Sequence, residues 1–210
     1  MKRIALTFDD GPNTSITPQV LDILGEHGIA ASFFLIADSI TPESAQVAKR
    51  AFSMGCEINN HSTTHEHMSR MIPDQVRREV ENCTQKIIEL TGRAPRFFRP
   101  PYIDINRDMF EEIGLTFICG SGCQDWVPDI SAEERIERVL ANARDGEIVL
   151  LHDMPGNVNT VEALKTIIPE LKKRGYRFLT CGQMFDECEI EPRHGWMYSN
   201  VFQTEPRTGL

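Results

Sequence analysis

His61 and His65 stand four residues apart in Asn59-Asn60-His61-Ser62-Thr63-Thr64-His65. On a helix or helical turn that spacing puts both imidazoles on one face, where both can reach one point. Imidazole is the commonest side-chain ligand for zinc and its neighbours. The pair follows Cys56-Glu57-Ile58, which reads as a short strand behind the helix-ending Gly55. Proteins that alternate strand and helix gather ligand-binding groups just past such strand ends. The spacing alone is commoner among solvated surface histidines, and His67 competes for the same role. Its company narrows the choice: Asp9-Asp10 at another strand end, Arg99-Pro100-Pro101-Tyr102, Asp125-Trp126, and His152 after an apolar run.

The elements that must position these residues can be followed along the chain. Ile4 to Phe8 is a compact apolar strand broken by Asp9-Asp10-Gly11-Pro12-Asn13. Thr17-Pro18 reads as a helix start, with Thr17 as the cap. Ala31 to Ile36 is a second buried strand, and Thr41-Pro42-Glu43 opens a second helix. Pro73 to Leu90 is a long amphipathic helix ended by Gly92. Arg96 to Phe98 is a short strand, Ile105 to Ile113 a helix, and Leu115 to Ile118 another strand. Gly120-Ser121-Gly122 reads as a loop, and Ser131-Ala132-Glu133-Glu134 as a capping box. Glu147 to Leu151 is a strand, Asn159 with Glu162 a cap, Arg177 to Leu179 a last strand, and Gly182 to Asp186 a short helix.

This alternation means parallel strands joined by crossover helices. The chemistry-bearing residues fall after nearly every strand, which favours a barrel-like sheet over a doubly wound one. No G-x-G-x-x-G and no phosphate loop is present, so a nucleotide cofactor has no support. Residues 1–186 read as one catalytic domain. Residues 187–210, with Trp196, Tyr198 and Phe202, lose periodicity and are expected to pack on it as a strap.

The chain has 210 residues and a formal net charge of −9. The length fits one core, and the charge argues against a nucleic-acid partner. It does not exclude a neutral sugar. No apolar run approaches the length of a membrane helix. Met1-Lys2-Arg3 runs directly into the first strand, without a signal peptide. The expectation is a cytoplasmic protein, or a domain cut from an exported parent, acting as a monomer. The six cysteines contain no C-x-x-C pair and read as scattered reduced thiols.

Five short motifs in order resemble the polysaccharide deacetylase (NodB-homology) family, carbohydrate esterase family 4. They are Thr7-Phe8-Asp9-Asp10, His61-Ser62-x-x-His65, Arg99-Pro100-Pro101-Tyr102, Asp125-Trp126 and Leu150-Leu151-His152. The stretches Arg99–Asn106 and Cys119–Trp126 look most like those of acetylxylan esterases, with peptidoglycan N-acetylglucosamine deacetylases beside them. The resemblance implies a distorted (β/α)7 barrel that removes acetyl groups from a polysaccharide or oligosaccharide with a divalent metal. The substrate would be O-acetyl xylan or an N-acetylglucosamine polymer such as peptidoglycan or chitin. One departure stands at Gly122, where the family often carries a charged residue, and it is expected to open that side of the cleft.

Under that resemblance each residue takes a role. Asp10, His61 and His65 form a two-histidine, one-carboxylate set that leaves coordination positions open. Zinc is the expected ion, with cobalt or nickel as alternatives. Asp9 is the general base, and Arg99 is expected to orient it through a bidentate bond. The Tyr102 main-chain N–H would face the oxyanion. His152, held by Asp125, would protonate the leaving group. Pro101, Tyr102, Trp126 and Leu150 would line the substrate pocket. Each residue also has a plain reading: Asp10 as a turn residue before Gly11, Arg99 as a surface ion pair, Tyr102 and Trp126 as packing, and His152 as a strand-end histidine.

Other readings compete. A two-histidine, one-carboxylate set also serves non-haem iron oxygenases, whose usual frame is all-β. A glycosidase needs two carboxylates flanking one bond, which adjacent Asp9 and Asp10 cannot do. A carbohydrate-binding domain with a decayed site predicts missing ligands, and all three are present.

Overall fold

In the computed structural model, which describes residues 1–206, strands and helices alternate as the pattern requires. In chain order they are β1 (Lys2–Asp9), α1 (Thr17–Glu26), β2 (Ser32–Leu35), α2 (Pro42–Ser53), β3 (Glu57–Asn60) and α3 (Pro73–Thr91). Then come β4 (Phe97–Phe98), α4 (Arg107–Glu112), β5 (Thr116–Ile118), β6 (Ser121–Gly122), α5 (Ala132–Asn142) and β7 (Glu147–His152). The series ends with α6 (Val158–Lys173), β8 (Tyr176–Phe178), α7 (Cys181–Glu187) and β9 (Met197–Tyr198).

One nine-stranded sheet runs β6-β7-β1-β2-β3-β4-β5-β9, with β8 also on β1. Every paired ladder is parallel, as crossover helices demand. β1 is the axis. It runs beside β7 from Ile4 to Asp9, which brings Asp9 level with His152. Its other edge is shared by β8 near Lys2–Ile4 and β2 near Thr7–Asp9. The sheet curls without closing. The chain after β9 completes the turn: Ile148 N donates to Ser199 O, and Asn200 bridges Glu147. The sheet is therefore a curled, open form of the distorted barrel that the resemblance implies.

The strands at the centre are buried on both faces, so they read as unbroken apolar runs. Ile4, Leu6, Phe8, Phe33 and Leu151 pack under α1, α2 and α6. Ala5, Phe34, Phe97 and Ile148 pack toward α7 and Tyr198. After α7, Tyr198 is buried with its ring 5.1 Å from Phe185, and Arg3 covers the Phe202 ring. The last four positions of the expected strap, 207–210, lie outside the described residues.

Several local expectations change. Thr17 lies inside α1, and its hydroxyl goes to Asp153 in place of capping. Asn13 takes over, accepting from the N–H groups of Ser15 and Ile16. The sequence places the α6 cap at Asn159, but the helix begins at Val158 behind Asn157. Asn157 does not cap either, because its amide is drawn into the site described below. Gly120-Ser121-Gly122 is not all loop, since β6 pairs with β7 at Val149 and Leu150.

Candidate active site

The ends of β1, β3 and β7 meet at one cleft of about 370 Å³. It is lined by Asp9, Asp10, His61, His65, Tyr102, Trp126, Leu150 and His152, joined by Pro100, Ile103 and Met154. Residues from all five motifs thus line one space, and Arg99 and Asp125 support it from behind. Pro101 is buried, and Pro100 lines the cleft beside it.

Asp9 is the last residue of β1, and the chain turns sharply after it. Asp10 adopts a left-handed φ of 74°, which turns its carboxylate away from the strand direction. Gly11 must be glycine for a different reason from a simple turn. A Cβ there would stand 2.6 Å from Asp153 Oδ2 and 2.9 Å from Oδ1.

The histidine pair is not on a helical turn. β3 ends at Asn60, and Ser62 and His65 both have left-handed φ, at 69° and 62°. The loop is held by side chains. Ser62 Oγ accepts from His65 N, and one oxygen of Glu79 on α3 accepts from both Thr63 N and Thr64 N. Short-range hydrogen bonding, not helical periodicity, brings the imidazoles together.

His61 Nδ1 lies 2.7 Å from the main-chain oxygen of Arg99. A carbonyl only accepts, so Nδ1 carries the proton and Nε2 presents a lone pair. That Nε2 stands 3.4 Å from Asp10 Oδ1, and His65 Nε2 stands 3.3 Å from the same oxygen. The three ligand atoms lie within 4.8 Å of one another. Among the described residues Asp10 Oδ1 is buried without a hydrogen-bond partner. A buried carboxylate oxygen facing a nitrogen lone pair is costly unless a cation or proton lies between them. The donor set therefore fits a divalent metal. Burial works to raise the Asp10 carboxyl, but neighbouring His61, His152 and His65 outweigh it and hold it at about 2. His65 is lowered, chiefly by burial and then by His61, which favours the neutral ligand form.

Arg99 and Asp9 form a buried ion pair, with Arg99 fully buried and Nη1 2.5 Å from Asp9 Oδ1. The expected bidentate bond is a single one. The guanidinium lies over the Phe34 ring, 4.1 Å from its centre, and its Nε and Nη2 find no partner among the described residues. The face-on stacking takes the place of the second bond.

His152 closes β7. Its Nδ1 lies 2.8 Å from Asp125 Oδ1, and its main-chain N donates to Oδ2 at 2.7 Å. Burial would lower this imidazole. The Asp125 hydrogen bond and charge, with Asp9 and Asp10 behind, raise it to about 9. Trp126 packs edge-on against His152, with centroids 5.3 Å apart. A side chain at Gly122 would meet the Trp126 ring at 3.4 Å and Leu150 at 3.7 Å. The room that Gly122 leaves is thus bordered by these two side chains and not simply open.

Tyr102 and Ile103 both adopt left-handed φ, at 59° and 54°. Tyr102 is 60% exposed, and its ring stacks on His67 at 4.1 Å. His67 is not one of the three clustered donors; its Nδ1 pairs with Asp104.

Asp153, Arg135, Asn157 and Thr160 carry no role in the motif reading. Asp153 is fully buried under the Asp9–Asn13 turn, and its carboxyl is raised to about 7, chiefly by burial. Its position directly after His152 was the one available signal.

A family profile described as polysaccharide deacetylase matches residues 1–118. A bifunctional xylanase/deacetylase of Pseudobutyrivibrio xylanivorans is 44% identical over 95% of this chain. The chain spans only 33% of that relative's length. The Xyl-CE4 domain of a multidomain xylanase from the hindgut metagenome of Trinervitermes trinervoides superposes with a TM-score of 0.93 at 41% identity. That match covers 95% of this chain and 98% of the domain. A family 4 acetyl xylan esterase from Clostridium thermocellum, solved with a cobalt ion, gives 0.93 at 37% identity, covering 96% of this chain and all of that one.

Proposed function

Because the chain belongs to the polysaccharide deacetylase family, we propose that it releases acetate from an acetylated polysaccharide, with O-acetyl xylan as its substrate. The family is metal-dependent. The observation that carries the reading is the partnerless buried oxygen of Asp10 between two imidazole nitrogens. The xylan preference is supported by the similar proteins, whose names join this domain to xylan.

Asp10, His61 and His65 would hold the divalent cation. Zinc is the proposed ion and cobalt or nickel the alternatives, because geometry and supply decide among them. When bound, such an ion supplies Lewis acidity toward an acetyl carbonyl and acidifies a neighbouring water. Asp9 takes the proton of the attacking water. Arg99 fixes its Oδ1, which leaves Oδ2, on the His61 side, for that task. The Tyr102 main-chain N–H donates to the developing oxyanion, a contribution of about 2.7–4 kcal/mol in comparable sites. Pro100 and Pro101 stiffen the chain that presents it. His152, protonated and held through Nδ1 by Asp125, gives the Nε2 proton to the departing sugar oxygen as the C–O bond breaks. Trp126 and Leu150 seat the acetyl methyl.

The test measures acetate released by zinc-loaded protein from acetylated xylan and from an N-acetylglucosamine oligomer in parallel. Faster release from xylan is expected. Release from the oligomer alone overturns the substrate assignment. Release undiminished after verified removal of metal overturns the metal-dependent mechanism.

A further inference from the structure

We infer that Arg135, on the far side of Asp125 from the cleft, is a positioning residue that sets the polarity of the Asp125–His152 pair through Thr160 and Asn157. The inference rests on the reading of His152 as the acid. Arg135 is 1% exposed, in the first turn of α5. A buried guanidinium calls for a partner of opposite charge, and no salt bridge to Arg135 occurs among the described residues. Its bonds go to neutral oxygens instead. Nε donates to Ile130 O at 3.0 Å and Nη2 to Val127 O at 3.3 Å. Nη1 donates to Asn157 Oδ1 at 2.5 Å and to Thr160 Oγ1 at 2.8 Å.

Those last two bonds have a fixed direction. Arginine has donors only, so the Thr160 oxygen must accept. Its single O–H is then committed to Asp125 Oδ2, 2.9 Å away. The same logic settles the Asn157 amide. Its oxygen faces Arg135, so its NH₂ faces His152 O at 2.8 Å and Asp125 Oδ2 at 3.4 Å. Asp125 Oδ2 thereby collects donors from His152 N, Thr160 and Asn157, and is left as a pure acceptor. Oδ1 is kept for His152 Nδ1–H. Without the arginine, the Thr160 hydroxyl and the Asn157 amide are both free to turn round. Either rotation removes a donor from the carboxylate that holds the imidazolium.

The charges agree with the bonds. Burial lowers Arg135, and Asp125 and then Cys123 act against it. The groups acting on His152 are Asp125, Asp9 and Asp10. Arg135 thus compensates Asp125 from behind while His152 pairs with it from the front. This is the second layer of support that working imidazoles commonly have.

Zinc-loaded wild type, Arg135→Met, Arg135→Lys, Thr160→Val and His152→Gln are compared on two esters. An acetylated xylo-oligosaccharide has a leaving group that needs a proton. 4-Nitrophenyl acetate has one that leaves without it. Arg135→Met is expected to lower kcat on the sugar ester by about 10- to 100-fold, the range for outer-layer partners, with KM and the aryl ester little changed. The alkaline limb of the sugar-ester profile moves up, as does the His152 imidazole titration followed by NMR, because Asp125 loses its compensating charge and donors and holds the imidazolium's proton more tightly. Arg135→Lys restores part of the loss. Thr160→Val, which removes one relay without unburying a charge, shows the same pattern more weakly and serves even if Arg135→Met does not fold. Equal losses on both esters with an unmoved limb, or full activity in both variants, overturn the inference. If His152→Gln itself treats the two esters alike, the acid reading fails first and the role of Arg135 falls with it.

Discussion

The two halves of the cleft are wired in opposite ways. On the β1 and β3 side, Asp10 Oδ1 has no partner among the described residues, and two imidazoles point at it. That side also concentrates strain, with left-handed φ at Asp10, Ser62, His65, Tyr102 and Ile103. Such conformations cost on the order of 1–3 kcal/mol each and persist only where the surroundings over-determine them. On the β7 side, both oxygens of Asp125 are bonded, and Gln124 is the one non-glycine residue nearby that is left-handed among the described residues. One half is incomplete until a cation arrives, and the other is complete as folded. A bound cation can offset the strain of the first half; the second half has only its own hydrogen bonds.

The largest expected effect separates the halves directly. Asp10→Asn leaves size and shape nearly intact but removes the charge that a cation needs. Loss of several kcal/mol of Lewis-acid stabilisation corresponds to a rate loss on the order of 10³-fold. Thermal unfolding supplies the other readout: zinc should raise the Tm of the wild type and have much less effect on Asp10→Asn. His152→Gln should lose about 10²-fold on a sugar ester yet keep the full zinc-induced rise in Tm. A His152 variant that lost that rise would show that the halves are one unit.

How far the sequence reveals this division can be judged residue by residue. Asp9, Asp10, His61, His65 and His152 stand at strand ends in short motifs, and apolar runs place the strands that carry them. The frame was therefore readable, except where elements are too short for periodicity. β6 has two residues among glycines, and β9 lies in the aperiodic stretch after α7. Spacing misled at the histidines: four residues apart suggested a helical turn, whereas Ser62, Glu79 and left-handed backbone do the work. Arg135, Asn157 and Thr160 could not be read at all. Each is an ordinary polar residue at a helix start, and only the fold brings α5 and α6 together behind Asp125.

The pH dependence sharpens the comparison on the complete half. His152 is raised in the folded protein to about 9, against about 6.5 for a free imidazole. The folded state thus binds this proton more tightly. The stabilisation it brings is fully present below pH ~6.5 and is lost as pH rises through about 9. kcat on a sugar ester should fall along the same alkaline limb, since the acid must be protonated to act. Asp125→Asn removes the main raising influence and leaves burial, which lowers. Its limb should therefore move down toward neutral pH. A limb that stays near pH 9 in Asp125→Asn would assign it to another group.

The smallest effect probes strain on the metal side. If Tyr102 serves the reaction through its main-chain N–H, its side chain is dispensable for kcat. Tyr102→Gly keeps the N–H and adopts a φ of 59° without penalty, where a residue with a Cβ pays about 1–2 kcal/mol. It also loses ring contacts with His67 and His65, and it frees the unfolded chain by up to about 1 kcal/mol. These terms nearly cancel, so the Tm should shift by only a few degrees in either direction. KM for an oligosaccharide should rise a few-fold with the loss of an exposed aromatic face, while kcat is nearly kept. A large fall in kcat with KM unchanged would mean that the ring, not the strained main chain beneath it, acts in the transition state. The left-handed turn would then be a consequence of placing the ring and not the device that aims the N–H.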